Sequence, residues 1–462
     1  MNRPKKLGIL LGVLALTCVA TFAVMRMEER KEQIKETGQI ILELPSESVQ
    51  SLSWEYSETS LAFHRDGVWL WDEDEQFPVS EEKINDLLEP FQALGAAFII
   101  QDVEDFGQYG LDDPVCTIQL STEERDYEIK LGDYSKMDSQ RYLSIGDGNV
   151  YLVKRDPLEE LSVTIRNLID HDEVPDLDHV TGISFSGTEN YSITYEEESA
   201  NTYRDEDVYF ARQDGKSLPL DTDRVRDYLD YIGYLNLTDY KTYSATEEEL
   251  STYGLDTPEL SVAVNYTAKE EDGTERSDTF VLHISRDPEE KKDAEEQEDE
   301  ELTAYARVGD SKIVYQISSA GYKHLLAASY NDLRHLEVLP ASFEDVRQVD
   351  IALEGGSYTL ICEQDGKERV WSYQGEKLEI DSLQRALEGL TAEEFTTEKP
   401  SKKEEIGLTV YLDREGADAV RIKLYRHNGE TCIAEVDGES VCLVDRADVV
   451  SLIESIHAIT LA

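Results

Sequence analysis

One stretch of the chain is apolar throughout: Leu7 to Met25 holds no charged residue. Beyond it the pattern alternates between two periods. After Ser80, the positions Ile84, Leu87, Leu88 and Phe91 form one apolar stripe at helical spacing. Val225, Tyr228, Leu229 and Ile232 repeat that stripe after Asp221. Leu383, Ala386, Leu387 and Leu390 repeat it again, one residue earlier. Ser80 and Asp221 carry side-chain oxygens suited to accept from the free N–H groups of a first helical turn. Elsewhere the period is two. Cys116-Thr117-Ile118-Gln119-Leu120 and Tyr127-Glu128-Ile129-Lys130-Leu131 read as half-buried strands. The expectation is an α+β chain of mainly antiparallel sheet with helices.

The pattern also recurs on a longer scale, and four landmarks return in the same order. A strand opens with valine at Val49, Val180 and Val346. An aromatic strand follows at Val68-Trp69, Val208-Tyr209 and Val370-Trp371. A helix start comes next, at Phe77-Pro78-Val79-Ser80, Leu218-Pro219-Leu220-Asp221 and Leu378-Glu379-Ile380-Asp381. A Gly-Leu step closes the set at Gly110-Leu111, Gly254-Leu255 and Gly407-Leu408. Hairpin turns are expected at Gly146-Asp147-Gly148, Gly309-Asp310 and Asp437-Gly438, and a closing helix from Asp445 to Ile459. Three tandem modules are therefore expected, over residues 45–172, 176–338 and 342–462, after an amino-terminal segment 1–35. The middle module holds an acidic run, Asp287 to Glu301, placed as a solvated loop between two strands.

The run Leu7–Met25 is long enough to span a bilayer, at about 1.5 Å per residue. Arg3, Lys5 and Lys6 precede it, and neither Thr21-Phe22-Ala23 nor Ala15-Leu16-Thr17-Cys18 makes a good processing site. The segment reads as an uncleaved transmembrane signal anchor. The basic stub is expected to stay cytoplasmic, which places the large carboxy-terminal part in an extracytoplasmic position. Cys432 and Cys442 flank the Asp437-Gly438 turn. In a two-residue hairpin loop they face Leu443 and Ile433, with sulfurs on opposite faces, so no disulfide is expected.

The charge is −55, from 99 acidic and 44 basic residues, while 40% of the chain is apolar. That apolar content is enough for a folded protein. The charge excludes sequence-independent binding to nucleic acid, which needs a positive footprint.

Signatures of phosphate-binding loops, dinucleotide folds, zinc peptidases and serine hydrolases are missing from the sequence. Three clusters invite chemistry. His171, Asp172, Glu173, Asp176, Asp178 and His179 offer ligands for Zn²⁺ or Mn²⁺. His171-x-Glu173-Val174-Pro175 returns as His335-x-Glu337-Val338-x-Pro340, however, so a junction-shaping role is favoured. Asp221-Thr222-Asp223 opens like a calcium loop, but Arg226 stands where glycine is needed, and a helix N-cap is favoured. Trp54, Trp69 and Trp71 could stack on sugar rings, but their pattern places them facing the core. No catalytic, cofactor-binding or metal residue is assigned, and no cofactor is expected.

The segment Tyr109-Gly110-Leu111-Asp112-Asp113-Pro114, its echo Tyr253-Gly254-Leu255-Asp256-Thr257-Pro258, and the hairpin end Val150-Tyr151-Leu152-Val153 resemble a bacterial family. It is the domain of unknown function numbered 4340. The third module departs from the pattern, since Thr409-Val410 follows Gly407-Leu408. The resemblance implies a membrane anchor and repeated extracytoplasmic modules. It also implies genes beside ABC transporters of the gliding-motility type. The expected function is that of a non-catalytic, membrane-anchored accessory or docking subunit of an ABC-type transporter complex, with a permease or another membrane subunit as partner. The alternative is an extracytoplasmic binding protein for a polysaccharide or a divalent cation.

Overall fold

The computed structural model describes residues 33–36, 38–213, 215–269, 273–293, 302–365, 368–414 and 419–461. The apolar run Leu7–Met25 lies outside the described residues. Among the described residues no helix is long and apolar enough to cross a membrane. The chain divides into two compact units, Met1–Asp172 and Glu173–Ala462.

Three antiparallel sheets account for the architecture, one in the first unit and two in the second. The first is ordered Val68–Trp71, Thr59–Asp66, Val49–Tyr56, Cys116–Thr122, Asp126–Ser135, Gln140–Ser144, Val150–Val153, Leu94–Gln101, Gln33–Glu36. Ile40–Leu42 also pairs with Leu94–Gln101, making ten strands. The second runs Lys216–Pro219, Tyr209–Gln213, Tyr191–Tyr195, Val180–Gly187, Leu260–Lys269, Glu275–Arg286, Ala304–Val308, Val314–Ile317, Tyr240–Thr242. The third runs Glu376–Lys377, Glu368–Tyr373, Gly356–Asp365, Val346–Leu353, Glu404–Leu412, Ala419–Arg426, Thr431–Val436, Glu439–Asp445, Glu394–Phe395. From the aromatic strand onward the order is the same in all three, and this establishes the repeat.

The repeat extends to an irregularity. The register slips directly after the opening valine in each sheet: between Val49 and Ser51, between Val180 and Gly182, and between Val346 and Gln348. A bulge adds one unpaired residue and sharpens the local twist, so its recurrence at one position marks a shared backbone design.

Each sheet buries one face beneath a helix. Glu81–Gln92, Thr222–Gly233 and Asp381–Glu388 are these helices. Their apolar stripes are sealed: Ile84, Phe91, Val225, Ile232, Leu383 and Leu387 are each at most 1% exposed. Ser80 Oγ accepts from Lys83 N, and Asp221 Oδ1 accepts from Asp223 N and Arg224 N. The third helix has no side-chain cap, because Ile380 takes the capping position. Trp54 and Trp69 are buried, and Trp54 Nε1 donates to Leu161 O at 3.0 Å. Trp71 packs edge-on against Phe77 at the rim of the same core. The three expected hairpin turns are present, with positive φ at Gly146, Gly148, Gly309, Asp437 and Gly438.

Two expectations need correction. Gly407-Leu408 is not the third copy of the Gly-Leu step. Gly110 and Gly254 end short helical turns at φ of +70° and +71°. Gly407 instead lies inside the strand Glu404–Leu412, opposite Ala352. Counted from the shared bulge, Gly407-Leu408 matches Thr117-Ile118 and Ser261-Val262. The step is missing from the third module, and an unrelated glycine stood at a similar spacing.

The second correction concerns Cys432 and Cys442. A bulge between Ala434 and Glu435 shifts the hairpin register, so Cys432 faces Val444 and Cys442 faces Ala434. Both sulfurs therefore turn into one core, where each residue is at most 1% exposed. Both thiols are free, as are Cys116 and Cys362. Burial pushes the Cys116 thiol up to about 12 and the thiols of Cys432 and Cys442 up to about 11.

The acidic run follows Glu275–Arg286 and precedes Ala304–Val308, but it is not loop throughout: Pro288–Asp293 forms a helix, and 294–301 lies outside the described residues. Its base is pinned. Glu290 accepts from Thr303 N at 2.8 Å and from Thr303 Oγ1 at 2.6 Å, and Asp287 accepts from Tyr305 Oη at 3.0 Å.

The Gly-Leu correction is testable by denaturation. A Cβ on Gly110 would sit 2.8 Å from Asp133 Cγ and 2.9 Å from its backbone nitrogen, at positive φ. Gly110→Ala is expected to destabilise the first unit by about 2 kcal/mol or more. A Cβ on Gly407 meets chiefly Glu404 Oε1, the end of a flexible side chain. Gly407→Ala is expected to change stability by less than about 1 kcal/mol.

Candidate functional site

The most strongly built polar cluster joins the second and third modules, within the second unit. It arises from an insertion the first module lacks. There, Gly67 alone links the strands Thr59–Asp66 and Val68–Trp71. In the second module, residues 196–208 fill the same connection. This loop reaches the third module. Tyr203 packs against the third core and donates to Asp437 Oδ2 at 3.0 Å. Asp205 pairs with Arg414 at 2.6 Å. Arg204 lies 3.7 Å from Glu337 and donates to the carbonyls of Pro340 and Leu339 at 3.4 and 3.5 Å.

At the root of the loop is a buried acid–base pair. Asp207 is 2% exposed and accepts at both oxygens, from His335 Nε2 at 2.8 Å and from Thr202 Oγ1. The other ring nitrogen of His335 lies 3.7 Å from both Asp221 Oδ2 and Glu337 Oε2. Burial alone would lower the proton affinity of His335. The hydrogen bond to Asp207 and the nearby Glu337 carboxylate outweigh it and raise the pKa to about 9. The His335 ring beside it in turn holds Glu337 down at about 2, against the opposing effect of burial. Asp221 thus does two jobs, capping a helix and facing His335.

The first junction carries the same residue pattern in a different electrostatic setting. Burial and the nearby Lys83 lower the pKa of His171. Asp176 accepts from Asp178 N at 3.0 Å, closing a local turn, and His179 is exposed. Among the described residues no group of three or more His, Cys, Asp or Glu side chains is placed to hold a metal ion. At the second junction the motif falls where the His335–Asp207 pair ties the two modules together. Residues 202–207, which complete it, carry no signal beyond the extra length of the middle module.

The second module also has an open pocket of about 530 Å³. Asp178, His179, Tyr195, Arg226, Asp230 and Lys269 line it. Tyr195 is 43% exposed and meets Tyr209 edge-on at 5.6 Å. The equivalent of Tyr195 is Arg65 in the first sheet and Cys362 in the third, each opposite the aromatic landmark.

The His335 contribution to stability is complete below pH 6.5 and is lost as pH rises through about 9, because its folded pKa is raised. The Glu337 contribution is present above about 4.5 and is lost as pH falls through about 2. Urea unfolding of the second unit is therefore expected to show greater stability at pH 6 than at pH 9.5, by up to about 3 kcal/mol. His335→Gln should cost about 3–5 kcal/mol at pH 6, as one partner of a buried pair is removed. It should also flatten that pH dependence.

Among known proteins, no curated sequence and no solved structure matches the chain. A family model, Domain of unknown function (DUF4340), matches it twice, over residues 69–258 and 211–410. Each match begins in or beside an aromatic strand and ends in the following module, so one match spans parts of two sheets. Together the two matches cover about three quarters of the sequence, and the chain belongs to the DUF4340 family.

Proposed function

We propose that this protein is a non-catalytic, membrane-anchored, extracytoplasmic accessory subunit that docks on an ABC-type transporter complex. The reading rests on one observation above the others. The second and third modules are fixed to each other by the 196–208 loop and the buried His335–Asp207 pair. Such a bond between repeats gives a rigid surface of set geometry, as a docking scaffold needs, and adds no chemistry of its own. The run Leu7–Met25 supplies the anchor in this reading, and the family resemblance supplies the class of partner.

The pocket at Tyr195 favours a second reading, an extracytoplasmic binding protein for a polysaccharide. A half-exposed aromatic ring among charged hydrogen-bonding groups suits a sugar, and neither other module repeats Tyr195.

Crosslinking in whole cells, followed by purification in detergent, separates the two. Recovery of an ABC permease is expected, and it should fall when Asp205→Ala and Arg414→Ala loosen the junction. Recovery of glycan instead, lost in Tyr195→Ala, would replace the docking reading with the second one. Protease treatment of intact protoplasts is expected to digest the carboxy-terminal part; full protection would reverse the orientation.

A further inference from the structure

The third module has a groove of about 1080 Å³ with an unusual charge for so acidic a chain. Lys402, Lys403, Arg426 and Arg446 line it, with Glu354, Glu404 and Glu405. The acids do not balance the bases. Glu404 pairs with Lys423 at 3.5 Å, and Glu354 lies 3.8 Å from His457, both partners outside the groove. Glu405 serves two arginines at once, Arg426 at 3.0 Å and Arg446 at 3.7 Å. Lys402 donates to a backbone carbonyl, that of His427. Lys403 has no ion pair among the described residues. Four cations thus face three carboxylates, of which only Glu405 pairs with cations of the groove, the two arginines.

Comparison with the first module sharpens the point. Counted from the shared bulge, Lys402 and Lys403 occupy the positions of Asp112 and Asp113. By strand register, Arg426 occupies the position of Tyr134. In the second module Asp256 stands where Lys402 does. Two acids of the first module are thus replaced by two bases at the same count from the bulge. Simple solvation of a surface requires no such reversal, since either sign is well hydrated.

We propose that this groove is a binding site for a phosphate-bearing anion. Guanidinium groups present planar forks to phosphate oxygens, and ammonium groups supply point charges beside them. The two arginines are already oriented by Glu405, so little order is lost on binding. A phosphate ester offers several oxygens and one or two negative charges, matching a groove whose four cations outnumber its three carboxylates. The site is independent of any transporter partner, and binding here stands or falls separately from docking.

The test uses the full chain in neutral detergent at low salt. Calorimetric titration with inorganic pyrophosphate probes a free phosphate. Titration with short-chain phosphatidylglycerol probes a lipid headgroup. Binding of at least one is expected, and the tighter of the two identifies the source. Lys402→Glu with Lys403→Glu should weaken it tenfold or more. Lys241→Glu with Lys323→Glu, an equal charge change in the second module, should weaken it less than threefold. If the first pair fails to fold, Lys402→Gln with Lys403→Gln replaces it, with the same expectation. No binding of either probe, an unchanged affinity in the groove variants, or equal loss in both pairs would overturn the proposal.

Discussion

The three modules depend on covering one apolar face of each sheet, a task that begins with one amphipathic helix per sheet. A wide antiparallel sheet can leave one face to water, but its other face must be sealed. The centre of the seal is a stripe of four side chains on a helix of two to three turns, as Ile84, Leu87, Leu88 and Phe91 show, and residues of the closing segments such as Leu161 and Leu452 complete it. Each such side chain, fully buried, contributes about 1.5–3 kcal/mol. The helix therefore has to start at a fixed place, and capping sets that place. Ser80 and Asp221 hold the first turn by their side chains, while backbone N–H groups of the same two residues reach Leu168 O and Leu333 O in the closing segments. Start of helix, end of module and depth of core are thus tied at one residue.

Legibility in the sequence followed the strength of local patterning. The helical stripes, the half-buried strands at Cys116–Leu120 and the turns at Gly146 and Asp437 were all readable, because spacing and turn chemistry fix them locally. The Gly407 landmark misled because a Gly-Leu pair carries no period of its own. A glycine in a strand and a glycine ending a turn look alike in one dimension. The pairing of Cys432 and Cys442 was misjudged for a related reason. A single-residue bulge inverts every facing beyond it, and nothing in Val436–Val441 announces one. The third module's uncapped helix at Ile380 fits the same picture of divergence.

The second junction was half legible. The pattern His335-x-Glu337 marked the place, and its recurrence argued for structure over metal chemistry. Asp207, the partner that fixes its charge, lies 128 residues away in sequence. Such a pair forms only through tertiary packing, so periodicity cannot reveal it. The same motif at His171 sits in a setting of opposite electrostatic sense, which shows that residue identity alone does not set a charge state.

The buried cysteines have a consequence for the chemistry the protein can survive. Thiol–disulfide exchange runs through the thiolate, and its rate falls with access as well as with thiolate fraction. Cys116, Cys432 and Cys442 are each at most 1% exposed, and burial holds their protons on well above the usual range for a thiol. Cys116 and Cys442 behave as small apolar packing residues, and the Cys432 thiol donates to Glu405 Oε2 at 3.9 Å. Small oxidants and disulfide catalysts meet neither a nucleophile nor a path to one while the sheets stay closed. Those three positions are redox-silent in the folded state, and oxidative crosslinking through them requires that the module open first.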